Sequence, residues 1–226
     1  MPTDVLRDKA SGRLNLPNDT DKERAKLDDA EVEFYDYLET LDGWSSLMSA
    51  TVELTGEIDP ATVTADNLQV WHWTGTHELV AGARVSVSSD AKMITIDPPR
   101  TGWVRGDQYV IALRGGATGV SGKQGERVEC DAAFYFLRQT EALDTPEHAR
   151  AIPGDTPEER ASNTARLEGI RKDLAPVFDF FEARALPRAD VAALWEFTVT
   201  TRTELAMDKA SQRMPLPINL MLSPAT

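Results

Sequence analysis

Cysteine is nearly missing from this chain. Cys130 stands alone among 226 residues, which excludes an intramolecular disulfide framework. Histidine is scarce too, with only His72, His77 and His148. No Cys-x-x-Cys, His-x-x-x-His or His-Glu-x-x-His spacing occurs, so the usual zinc patterns are lacking and neither a metal nor another cofactor is expected. Positive charge is in short supply: 24 Lys and Arg face 37 Asp and Glu, a net charge of −13. Nucleic-acid binding draws on Lys and Arg contacts to phosphates, so generic DNA or RNA binding is excluded, as is adhesion to anionic lipid. No apolar run approaches the roughly 20 residues of a membrane-spanning helix. The first twenty residues are polar and charged, without a signal-peptide pattern.

What is there suits a packed globular protein: 41% hydrophobic and 27% charged residues, in a chain long enough for a sizeable core. The acids are uneven. Residues 19–42 carry ten, from Asp19 to Asp42, against Lys22, Arg24 and Lys26. A cation-binding or partner-steering face is one reading, and a solvated helix face is the plainer one. Within this stretch Asp19-x-Asp21-x-Glu23 begins like a calcium loop but lacks the central Gly and closing Glu.

A turn-rich lead-in precedes a helix with Asp19 or Thr20 as cap. Its apolar stripe is Leu27, Ala30, Phe34, Leu38 and Leu41, and Asp42-Gly43 ends it. From Ser49 the period changes to two. Strands are predicted at 50–55, 68–73, 84–88, 93–96 and 109–113, parted by turn signals such as Asp59-Pro60 and Arg105-Gly106-Asp107, with a further strand at 132–138. A second helix is capped by Thr156 with Pro157 in its first turn. Its stripe is Leu167, Ile170, Leu174, Phe178 and Phe181, and Pro176 is expected to kink or restart it. Residues 193–200 return to strand alternation. The predicted fold is mainly β: an Ig-like β-sandwich with an N-terminal helix and a helical insertion before the last strand. Its parts are 1–48, the strands 49–140, the insertion 141–190, and a closing strand and tail 191–226. The tail from Pro215 loosely echoes Pro2–Ser11, as expected of a piece cut from a longer polypeptide.

Catalytic patterns are lacking. Gly119-Val120-Ser121-Gly122-Lys123 misses the last Gly of a nucleophile elbow, and Gln124 stands where a P-loop needs Ser or Thr. Cys130 reads as a structural thiol, with no histidine tied to it. Trp71 and Trp73, two apart on a strand, share a face. Exposed, they would be a platform for sugar rings; buried, they would pack under a helix. They are the candidate ligand-binding residues, with carbohydrate as the ligand. Catalytic and metal residues are not assigned.

Gly56-Glu57-Ile58-Asp59-Pro60, Asn67-Leu68-Gln69-Val70-Trp71 and Trp103–Leu113 resemble bacterial Ig-like domains of secreted and surface-layer proteins. Leu14-Asn15-Leu16-Pro17, Leu41-Asp42-Gly43-Trp44-Ser45 and Trp195-Glu196-Phe197-Thr198-Val199-Thr200 resemble, more specifically, the N-terminal domain of bacterial virulence-factor lipases. That resemblance implies an exported protein of the cell envelope or medium, and a non-catalytic accessory or adhesion domain beside an α/β-hydrolase module. Its partner would be an adjacent module or another protein. The alternatives are the N-terminal part of an active lipase or esterase, and a carbohydrate-binding module. Trp44 replaces the family's Phe, and Thr200-Thr201-Arg202-Thr203 replaces its Thr-Thr-Gln-Ser.

Overall fold

The computed structural model describes residues 3–16 and 24–202. The predicted caps Asp19 and Thr20, the calcium-like acids and the tail repeat from Pro215 lie outside them. The framework is β, two antiparallel sheets with helices added. Strands β1 (Ala50–Glu53), β5 (Met93–Asp97) and β4 (Arg84–Val87) make one sheet in that order. The other runs β3 (Glu78–Leu79), β2 (Leu68–His72), β6 (Gln108–Arg114) and β7 (Val191–Thr198). Helices α2 (Ala132–Leu137), α3 (Pro146–Ala151) and α4 (Pro157–Glu182) all fall between β6 and β7.

The second sheet is covered on both faces, which explains why its central strands read as near-continuous apolar runs. Tyr109, Ile111 and Leu113 of β6 join Leu68, Val70, Trp195 and Phe197 in a core shared with Ala50, Ile94 and Ile96 of the first sheet. Val110 and Ala112 point the other way, with Trp71 and Leu194, onto Leu174, Val177, Phe178 and Phe181 of α4. Burying one such aromatic contributes about 2 kcal/mol. The apolar stripe of α4 is the face that lies on this sheet.

Three expectations are corrected. Residues 132–137 form helix α2, not a strand. Asp131 caps it by accepting from the Phe134 amide at 2.7 Å, and a six-residue apolar run alone does not distinguish helix from strand. Phe134 and Phe136 are both buried, but in different clusters, Phe134 against α4 and Phe136 with Leu143 and Ile152. Second, of the kink or restart expected at Pro176 the restart does not occur, and α4 continues through it as one helix. The proline lies on the exposed face, where water can satisfy the carbonyl it leaves free. Third, helix α1 (Asp29–Leu38) starts at a capping box of Asp28 and Glu31 and ends before Leu41. Its stripe does not face a core: Phe34 is 58% exposed, while Leu41 is buried beyond the helix end.

Candidate functional site

Trp71 and Trp73 stand at the α4 side of the second sheet. Trp71 is 9% exposed and meets Phe180 and Phe181 edge-on, at centroid distances of 4.9 and 6.2 Å. Trp73 is half-buried, stacked on His77 at 4.0 Å and edge-on to Phe180 at 4.9 Å. The Arg184 guanidinium sits 3.5 Å from the Phe180 centroid and 5.6 Å from that of Trp71. Of the two placements open to the pair, Trp71 takes the one beneath a helix. At 9% exposure it offers little surface on which a sugar could stack.

Cys130 is partly buried at the edge of the helix-side core, and burial pushes its thiol up, opposite to what a nucleophile needs. Among the described residues no group of three or more His, Cys, Asp or Glu is arranged to hold a metal ion. No helix there is long and apolar enough to cross a membrane.

A dense polar constellation lies where β7 ends. Gly43 does not close helix α1 as a left-handed cap; it brings the 42–44 loop against the backbone of Thr198–Thr200. A methyl group there would stand 2.6 Å from the Thr198 carbonyl oxygen and 2.8 Å from the Thr200 nitrogen. This close approach lets the Trp44 amide donate to the Thr198 carbonyl, and the Thr200 amide to the Trp44 carbonyl, each at 2.8 Å. Asp42 then accepts from both the Thr200 and Thr201 hydroxyls and from the Thr201 amide, the last at 3.0 Å. Burial opposes ionisation of Asp42, but these hydrogen bonds outweigh it and hold the carboxyl below its ordinary value.

Two further segments close on the same stretch. The N-terminal turn supplies Asp4, whose carboxylate accepts from the Thr198 amide at 2.8 Å and the Thr198 hydroxyl at 2.6 Å. The turn before β6 supplies backbone partners: the Val199 amide donates to the Asp107 carbonyl at 2.9 Å, and the Gly106 amide to the Val199 carbonyl at 3.0 Å. His72 Nε2 lies 2.7 Å from Asp107 Oδ2, tying that turn to β2. Arg202 reaches back to the Thr40 hydroxyl at 3.0 Å, and Arg105 donates to the Arg202 carbonyl.

Residues 198–202 are therefore gripped by three loops far apart in sequence. The sequence offered Asp42-Gly43-Trp44 and Trp195–Thr200 as separate motifs; that they meet was not legible. Asp4 and Asp107 carried no signal beyond being acids near turns. The arrangement fixes the position and direction in which the chain leaves β7.

No family model and no curated protein matches the chain. Among solved structures it is similar to the N-terminal part of the bacterial S-layer protein SbsC, at 22% identity and a TM-score of 0.29, over 48% of this chain and 26% of that one. Domains 1-6 of surface layer protein SbsC are similar at 20% identity and a TM-score of 0.28, over 48% and 15%. The chain thus spans about a quarter or less of these proteins, and at such TM-scores the likeness carries no conclusion about activity.

Proposed function

We propose that this chain is a non-catalytic Ig-like accessory or adhesion domain, a β-sandwich of an exported bacterial protein that holds a neighbouring module in position. The observation that carries this reading is the grip on residues 198–202. A domain that only tethered its neighbour would gain nothing from three loops converging on the exit of its last strand; one that sets an orientation needs them. The resemblance to secreted bacterial Ig-like domains supports export to the cell envelope or medium.

Spin labels at Ser89→Cys and Arg202→Cys, in a Cys130→Ser background, test the reading by pulsed distance measurement. A narrow distribution that broadens in Asp42→Ala is expected. A broad distribution with Asp42 intact overturns it. The chain is also expected not to hydrolyse p-nitrophenyl esters, and turnover surviving Ser121→Ala and Cys130→Ser contradicts a non-catalytic role.

One observation favours a second reading, that the chain is the N-terminal part of a lipase or esterase whose α/β-hydrolase module lies outside it. Two of the three motifs on which the lipase resemblance rests, those holding Asp42-Gly43-Trp44 and Thr198-Val199-Thr200, meet in the grip. A reading frame that continues into a Gly-x-Ser-x-Gly segment supports this reading, and one that continues into another kind of module removes it.

A further inference from the structure

On the α4 side of the second sheet, Trp71, Val110, Ala112 and Leu194 form an apolar patch with an acid beside it. Glu196 lies opposite Val110 in the β6–β7 register, in the row that begins with Trp71. Strand alternation puts it on the same face as Leu194, facing the helices. There it borders an open cleft of about 680 Å3 lined by β7, α2, α4 and the N-terminal turn. Phe134 and Leu137 of α2, Ile170 and Leu174 of α4, and Leu194 form its apolar wall.

The other charged groups at this cavity are already engaged. Asp4 is held by Thr198, Asp8 by Ser11, and Asp131 by the Phe134 amide. Lys9 pairs with Asp173, and Arg7 donates to the Gly12 carbonyl at 2.9 Å and to Thr198. The Glu196 carboxyl makes no hydrogen bond or ion pair among the described residues. Burial, reinforced by the charges of Asp4 and Asp173 and opposed by Lys9, pushes its carboxyl up to about 7.

A half-buried, unpaired carboxylate beside an apolar wall suits a cation that brings hydrogen-bond donors. A hard metal ion would want several free oxygens, and here one carboxyl is free. An ammonium on an apolar stem matches both halves of the site. We propose that this cavity binds a small organic primary amine, its ammonium on Glu196 and its stem against Phe134, Ile170 and Leu174. The inference is independent of the grip at residues 198–202.

Calorimetric titration of the whole chain with 2-phenylethylamine, and with 2-phenylethanol as the neutral isostere, tests it. One-to-one binding of the amine at about pH 8 is expected, at least about tenfold tighter than the alcohol. Glu196→Gln loses about tenfold or more in affinity. Ala133→Trp, which adds bulk at the cavity rim and leaves the carboxyl untouched, weakens the amine as well. Between about pH 8 and pH 5 the affinity falls as Glu196 takes up its proton, the amine staying charged throughout. Equal affinity for amine and alcohol, no binding of the amine, or an affinity unchanged in Glu196→Gln overturns the proposal. Should Glu196→Gln fail to fold by circular dichroism, Ala133→Trp and the alcohol comparison decide it.

Discussion

At Gly43 a single methyl group would collide with backbone atoms of Thr198 and Thr200 that cannot move without breaking the strand pairing. Gly43→Ala is therefore expected to destabilise the fold by about 2 kcal/mol, read from urea denaturation, as overpacking against backbone does. Glu196 provides a second test at this scale. Its folded value, about 7, lies above the ordinary 4.5. The stability linked to it is complete below pH 4.5 and lost as the pH rises through 7. Glu196→Gln removes that loss and makes the protein on the order of 2 kcal/mol more stable than the parent at about pH 8. A parent and variant equally stable at that pH would refute it. Neither residue announces itself in the sequence. Gly43 reads as a helix stop because Gly tolerates that conformation, and that reading fails because the 198–200 backbone, distant in the chain, packs onto it. Glu196 is one acid in an alternating strand, and the groups around it come from distant segments.

Among the elements, the short helix α2 depends most on its cap. Asp131→Ala leaves the Phe134 amide unpaired and is expected to cost about 1 kcal/mol in thermal denaturation. Asp131-Ala132-Ala133 was the available signal for a helix; the alternation of Phe134 and Phe136 with Tyr135 masked it. Helix α4 has a different anchor. Glu168, buried on its flank, accepts two hydrogen bonds from Arg171, at 2.7 and 2.8 Å, and one from the Leu143 amide at 2.9 Å. Arg171 in turn reaches the Thr140 carbonyl at 3.3 Å, so the 139–144 loop is fastened to the helix. These bonds from Arg171 overcome burial and lower the Glu168 carboxyl to about 2. Glu168→Ala strands a buried guanidinium and is expected to cost about 3 kcal/mol. Proteolysis at 139–144 should accelerate in the same variant. The apolar stripe of α4 was legible from its spacing. The Glu168–Arg171 pair was not, because i,i+3 pairs are ordinary on solvated helices and only burial distinguishes this one.

For the whole molecule the two carboxyls oppose each other. Glu168 contributes stability that is present above its ordinary 4.5 and lost as the pH falls toward 2; Glu196 contributes stability lost as the pH rises through about 7. The midpoint of thermal unfolding should therefore peak on the acidic side of neutral, and Glu196→Gln should flatten its alkaline limb. Packing at this scale is shared as well. Phe178 is fully buried between α4 and the second sheet. Phe178→Ala is expected to cost about 4 kcal/mol, with tryptophan fluorescence and helical circular dichroism lost in one transition. Separate transitions would show that helix and sheets unfold independently.

The sequence by itself determined the framework: which stretches alternate with period two, that α4 would be amphipathic, and that helices would fall before the last strand. Those features follow from side-chain periodicity, a local property of the chain. Only the tertiary structure decided that residues 132–137 are helical, that the α1 stripe stays exposed at Phe34, and that Trp71 lies under α4. It alone joined Asp4, Asp42 and Asp107 around residues 198–202 and left Glu196 unpartnered at a cavity. Each of these depends on which distant segment covers a given face, and periodicity carries no information about distance across the fold.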